Sequence, residues 1–203
     1  GYASVGIRRN SRVENVDQLR EQLKLEINEF GRALIEEFIE GREFTCLIAE
    51  NPEDPKKPLT FTPVEFIFPN GESFKHYDMK WIEYEKMSVA VVAEPKIQKT
   101  LREQTMRVFK ELGGNGYARC DYRMDASGDI YMLEINPNCG IFYPPHEPGS
   151  ADFSLLNDPV NHTKFMKLII RNAQMRQTRI AAEKIIKRQS RKRPIAVEQM
   201  AYS

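Results

Sequence analysis

The chain has 203 residues, 41% of them hydrophobic, and a formal net charge of +1, which suits one domain or two small ones around a buried core. It shows no apolar run of membrane-spanning length and no charged-then-apolar leader, so it reads as neither membrane-spanning nor secreted. Cys46, Cys120 and Cys139 are an odd number in no metal-ligand spacing, which predicts reduced thiols in a cytoplasmic type of compartment. Between Lys164 and Arg193, eleven Lys or Arg stand against the single acid Glu183, so this segment carries +10 and the remainder −9. A moderately acidic body thus carries a strongly basic tail.

In chain order, Gly1–Ile7 combines small residues and glycines, which let backbone N–H groups close on a phosphate. Asp17 is expected to cap a helix with Leu19, Leu23, Ile27 and Phe30 at helical spacing. Ala33–Ile39 and Glu43–Ala49 read as strands around a Glu40-Gly41 turn. Asn51–Pro58 is a polar, proline-broken loop, Thr60–Phe68 a strand, and Asn70-Gly71 a hairpin turn. Phe74–Lys86 mixes aromatics and charges without clean periodicity and reads as a lid or binding loop, with His76 on its surface. Glu94–Leu112 is a helix with Ile97, Leu101, Val108, Phe109 and Leu112 in the core, ended by Gly113-Gly114. Pro137–Pro159 reads as a loop. Asn161 is expected to cap a helix through Phe165, Leu168 and Ile169 that can continue past Ile180 and Ile186.

The most informative stretch runs from Gly116 to Gly140. Two strands, Tyr117–Asp125 and Ile130–Asn136, flank the tight turn Ala126–Asp129. Pairing Asp125 with Ile130 sets Met124, Tyr122 and Cys120 beside Tyr131, Leu133 and Ile135 on an apolar face. The other face pairs Arg119 with Asn136, Asp121 with Glu134 and Arg123 with Met132. Facing carboxylates repel, so a positive group is expected between them. Asp121, Glu134 and Asn136 offer hard oxygen ligands of the kind Mg²⁺ takes, and a metal site is preferred here over a plain solvated face.

The runs Arg119-Cys120-Asp121 and Leu133-Glu134-Ile135-Asn136-Pro137-Asn138-Cys139-Gly140 resemble the metal-binding end of an ATP-grasp ligase, most closely the D-alanine–D-alanine ligases. The resemblance covers about residues 1 to 172. It implies an α/β fold of the α+β type, with an antiparallel sheet backed by helices: an ATP-grasp C-terminal portion at 1–172, followed by a basic helical tail or linker at 173–203. Ser4, Val5 and Gly6 match the core of the family's glycine-rich loop. Leu34–Thr45 resembles its adenine hinge, which implies that Glu36 accepts from the adenine amino group, that the Phe38–Ile39 backbone meets the ring edge, and that Glu43 holds the ribose hydroxyls. Lys80 matches a lysine that reaches the phosphates from the omega loop, where Tyr77 and Trp81 would cover the closed site. The metal, Mg²⁺ with Mn²⁺ as the alternative, falls to Asp121, Glu134 and Asn136. Arg119 would steady the transferred phosphoryl group, and the Gly140 N–H would meet the oxyanion of the tetrahedral intermediate.

The activity so implied is ATP-dependent carboxylate–amine ligation through an acylphosphate. The strand with a second ATP-binding lysine and the preceding domain have no counterpart in the sequence. The partners expected are therefore a missing N-terminal portion together with small carboxylate and amine substrates, and residues 1–203 alone are not expected to turn over ATP at a useful rate. A serine-leucine pair holds the second substrate's carboxylate in the D-alanine–D-alanine ligases. Here Ile141–His146 takes that place with no serine before Ser150, which favours a different carboxylate or amine. The alternatives are a non-catalytic ATP/Mg²⁺-binding or interaction module, or binding of nucleic acid or an anionic surface through the basic tail.

Overall fold

The computed structural model describes residues 6–69 and 71–191. Its centre is β1 (Arg42–Ala49), whose residues from Glu43 to Ala49 are all buried. Around it an antiparallel sheet runs in the order β4 (Ser88–Val91), β3 (Val64–Ile67), β1, β5 (Tyr117–Met124), β6 (Ile130–Pro137), with the short β2 (Leu59–Thr60) paired to the end of β1. The helices are α1 (Val16–Phe30), α2 (Tyr77–Trp81), α3 (Pro95–Glu111), α4 (Ser150–Leu156) and α5 (His162–Arg191).

Side-chain alternation divides β1 between two layers. Phe44, Cys46 and Ile48, with Cys120, Tyr122 and Ala118 of β5, pack against Leu101 and Phe109 of α3. On the opposite face Leu47 and Ala49 pack with Phe61, Ala151, Leu155 and Phe165, which seats α4 and the start of α5 over one end of the sheet. The other end of that face carries Glu43 and Thr45, opposite Arg123 and Asp121 on β5. The polar half of the face is where ligand chemistry can occur.

The α+β class and the antiparallel sheet are as expected; several elements differ. Asn15, not Asp17, caps α1 by accepting from the Gln18 N–H at 3.0 Å. Residues 33–39 form no strand: the Ile39 and Gly41 carbonyls accept from Arg123 instead of from a neighbouring strand. At Gly41, φ is +140° and a Cβ would lie 2.0 Å from the Met124 carbonyl oxygen, so only glycine fits this close approach. Thr60–Phe68 is broken into β2 and β3 at Pro63, and β4 follows where no strand was expected. Phe74–Lys86, expected to be an irregular lid or binding loop, folds into α2 and a 3-10 turn at Tyr84–Lys86.

His76 is fully buried, not superficial. Its Nδ1 accepts from the Met79 N–H at 3.2 Å and its Nε2 lies 3.0 Å from Glu72, so it caps α2. Leu112 is 65% exposed, because it follows the last turn of α3. Pro137–Pro159 contains α4. Asn161 does cap α5, accepting from the Lys164 N–H at 3.1 Å, and the helix continues to Arg191. It is tied to the body by Asn172, which donates to the Glu50 carbonyl at 2.6 Å, and by Arg179, 2.6 Å from the Glu50 carboxylate. Asn70 of the expected Asn70-Gly71 turn lies outside the described residues, and Gly71 has φ +88°. No helix of the described residues is long and apolar enough to cross a membrane.

Candidate functional site

The β5–β6 hairpin holds the centre of the site. Near the turn, Met124 pairs with Ile130, Arg123 with Tyr131 and Tyr122 with Met132; beyond a bulge, Asp121 pairs with Glu134, Cys120 with Ile135 and Arg119 with Asn136. The register expected from the turn is thus one residue off at the tip and correct at the polar end. Asp125 is the reason. Its carboxylate accepts from the Ser127 and Asp129 N–H groups at 2.9 and 3.0 Å, which makes it part of the turn and not of the ladder. Leu133 is the extra residue that restores the pairing.

Asp121 is buried and densely held. Its Oδ1 accepts from Thr45 Oγ1 at 2.6 Å and from Arg119 Nε at 2.8 Å. Its Oδ2 accepts from Arg119 Nη2 at 2.6 Å and from Asn136 Nδ2 at 3.1 Å. Burial pushes the Asp121 carboxyl up, but the Arg119 guanidinium, with Lys75 and Thr45, outweighs burial and holds it below the ordinary 3.8. Asn136 Nδ2 also donates to Glu134 Oε1 at 2.9 Å, so a single amide joins both carboxylates. Glu134 itself is exposed.

The donor set of two carboxylates and one amide suits a hard cation. Rotating the Asn136 amide by half a turn would turn its oxygen, a hard ligand, toward Asp121 and Glu134. Among the described residues no group of three or more His, Cys, Asp or Glu could hold a metal, so the amide is needed to complete this set. The expected positive group does not lie between the two carboxylates: the neutral Asn136 amide bridges them, and the Arg119 guanidinium pairs with Asp121 alone.

One row along the same face, Glu43 is buried with both oxygens engaged: Oε2 lies 3.1 Å from Arg123 and Oε1 3.0 Å from Lys75. Arg123 ties this corner together. Its guanidinium donates to the carbonyls of Ile39, Gly41 and Ser73 at 2.5, 3.0 and 2.9 Å, and it stacks 4.8 Å from the Phe38 ring. Phe38 also meets Phe74 edge-on at 5.7 Å.

Arg119, Asp121, Glu134 and Asn136 are therefore in direct contact, and Glu43, Phe38 and Ile39 join them through the neighbouring row. Glu36 is exposed. Gly6 lies against Glu26 and Phe30 of α1, and Ser4 and Val5 fall outside the described residues. Lys80 is in α2. Gly140 is exposed at the start of the loop after β6, next to buried Cys139. Burial pushes the Cys139 thiol up to about 12, which suits a passive residue and not a nucleophile.

Four residues with structural weight here were not expected: Thr45, Lys75, Arg123 as a hub, and Asp152. Thr45 had a legible signal, since it lies two residues after Glu43 on the same strand face. Asp152 is buried and shapes the loop after Gly140. It accepts from the N–H groups of Phe142, Tyr143 and Gly149 at 2.8, 3.3 and 2.9 Å, and its Oδ1 lies 2.8 Å from His162 Nε2. Phe142 is held at φ +66°. A Cβ at Gly140 or Gly149 would lie within 2.8 Å of Tyr143 ring atoms, so that side chain is seated between two glycines.

The family model described as D-ala D-ala ligase C-terminus matches residues 2–146. The chain is 29% identical over 154 residues to the D-alanine–D-alanine ligase of Enterococcus faecalis, covering 75% of this chain and 39% of that protein. It is 32% identical over 136 residues to that of Streptococcus mutans, covering 66% and 36%. Among solved structures it resembles the D-alanine–D-alanine ligase from Coxiella burnetii, with a TM-score of 0.61, 17% identity and coverage of 87% of this chain and 45% of the other. The Bacillus anthracis D-alanine–D-alanine ligase complexed with ATP gives a TM-score of 0.61, 18% identity and coverage of 85% and 50%. These structural likenesses show the fold. The chain spans 36% to 50% of the length of these relatives.

Proposed function

Because the chain belongs to the family described as D-ala D-ala ligase C-terminus, we propose that it binds ATP over the polar half of this sheet face and serves an ATP-dependent carboxylate–amine ligase. The observation that carries the reading is the Asn136 amide bridging Asp121 and Glu134 at 3.1 and 2.9 Å, with the Arg119 guanidinium alongside. Asp121, Glu134 and Asn136 would hold Mg²⁺, which supplies charge neutralisation for the phosphates. Thr45 keeps Asp121 aimed. Phosphoryl transfer needs mostly positioning and fixed charge, and Arg119, locked at 2.6 Å on Asp121, is a preorganised cation for the equatorial oxygens.

On this reading the substrate carboxylate becomes an acylphosphate, and an amine then displaces phosphate to leave an amide. No side-chain nucleophile is required. Gly140 would offer its N–H to the oxyanion, and the Asp152-braced loop would form a wall for the amine. The absence of a serine between Gly140 and Ser150 favours an acceptor other than D-alanine. Glu36, with Phe38 and Ile39, would meet adenine, Glu43 the ribose, and Ser4, Val5, Gly6 and Lys80 the phosphates. Residues 1–172 would be the nucleotide-binding unit and 173–203 a basic extension; three buried free thiols fit a reducing cytoplasm.

Glu43→Gln tests the assignment of the nucleoside end. It should weaken ATP by roughly tenfold or more, as expected for a charged hydrogen bond of about 1.5–3 kcal/mol. Inorganic triphosphate, which has no ribose, should not weaken. Equal losses in calorimetric titrations of both ligands would remove Glu43 from the ribose.

A further inference from the structure

We propose that Lys75 is a further anion-binding residue of this face, a cation held in place to meet a phosphate group; the inference rests on the reading of the face as a nucleotide site. The Lys75 side chain is 13% exposed, with its Nζ 3.0 Å from Glu43 Oε1 and 3.0 Å from the centre of the Phe66 ring. Phe66, Glu43 and Arg123 are cross-strand neighbours in one row, and Val64, Thr45 and Asp121 form the next. The ammonium therefore lies over the row next to the one that carries Asp121.

Withdrawing an ammonium from water costs several kcal/mol unless charge answers it. The two buried carboxylates of this patch are already answered. Glu43 has Arg123 at 3.1 Å, and Asp121 has Arg119 at 2.6 Å through a two-point contact. Lys75, Arg119 and Arg123 thus set three largely buried cations against Glu43 and Asp121. Among the buried groups the surplus is one positive charge; the exposed Glu134 and Glu40 act from the solvent side on Arg119 and Arg123. Burial works to lower the Lys75 pKa while Glu43 and Asp121 oppose it, as expected of an ammonium only partly compensated.

A surplus cation beside a hard-cation donor set suits an anion with several exposed oxygens. Lysine meets phosphate as a point charge and needs no planar fork. A cation serving only to neutralise Glu43 would be redundant with Arg123. Lys75 is five positions before Lys80 in the same segment, so the lid contributes a cation that neither sequence spacing nor the resemblance assigned.

The test uses the full 203-residue chain with Lys75→Met, which keeps an apolar stem over Phe66, and Lys75→Arg, which keeps the charge. Inorganic triphosphate and ATP are titrated calorimetrically with Mg²⁺ present, with melting temperatures measured in parallel. Lys75→Met should weaken both ligands by roughly tenfold or more, and Lys75→Arg should retain most of the affinity. If the Met variant does not fold, Lys75→Gln is read in the same way. Unchanged affinity with only a lower melting temperature gives Lys75 a structural role and overturns the proposal. So does a loss confined to ATP. Wild-type protein that binds triphosphate but not ATP would end the nucleotide reading, while a loss in Lys75→Met would still support the anion site. Wild-type protein that binds neither ligand would overturn both.

Discussion

Arg119→Ala is expected to destabilise the protein by about 3–5 kcal/mol at pH 7, the usual cost of leaving a buried charge without its partner. Arg119 and Asp121 have side chains only 11% exposed each. Thr45 and Asn136 would remain as neutral donors to the stranded carboxylate. The pH dependence identifies the cause. In the wild type the Asp121 pKa is depressed below 3.8, so its contribution is present above that value and is lost as pH falls through the folded-state pKa. Without Arg119, only the more distant Lys75 and neutral donors oppose burial, and the folded-state pKa rises. The variant's deficit should then be largest at neutral pH and shrink on acidification. Denaturant unfolding of both proteins from pH 7 to pH 4 measures this, and a deficit independent of pH would assign the loss to packing.

Glu134→Gln is expected to abolish Mg²⁺-dependent nucleotide binding and to leave the fold intact or slightly more stable. The carboxamide oxygen can still accept from Asn136, which lies 2.9 Å from the present carboxylate, and the repulsion from Asp121 across the strand pair is relieved. Glu134 is exposed, and the buried Arg119 keeps its two-point pairing with Asp121 in the variant. Loss of folding with nucleotide affinity unchanged would make this hairpin face structural.

How much of this was legible varied with the range of the forces involved. The polar end of the hairpin could be read because alternation fixes which side chains share a face. The tip could not, since Asp125 turns from strand to turn residue through its own carboxylate, and the Leu133 bulge conceals the shift. Residues 33–39 carry strand-like composition, but a strand exists only with a neighbour. There the carbonyls go to Arg123, some eighty positions away. His76 looked superficial because polarity alone does not reveal a buried cap whose partner is Glu72. α4 was missed inside a proline-rich loop because its organiser, Asp152, gathers the N–H groups of Phe142, Tyr143 and Gly149. Lys75 left no signal either, since its burial depends on the tertiary approach of the lid to Glu43 and Phe66. Side-chain placement carried on one pair of strands was legible; placement assembled by loops closing on the sheet was not.

The central claim is that this sheet face binds a nucleotide through a divalent cation. Its most direct test is a calorimetric titration of the 203-residue chain with ATP, first with Mg²⁺ and then with EDTA. Saturable binding that requires Mg²⁺ is the predicted result. No binding under either condition, or equal affinity with and without the metal, would contradict the assignment of Asp121, Glu134 and Asn136.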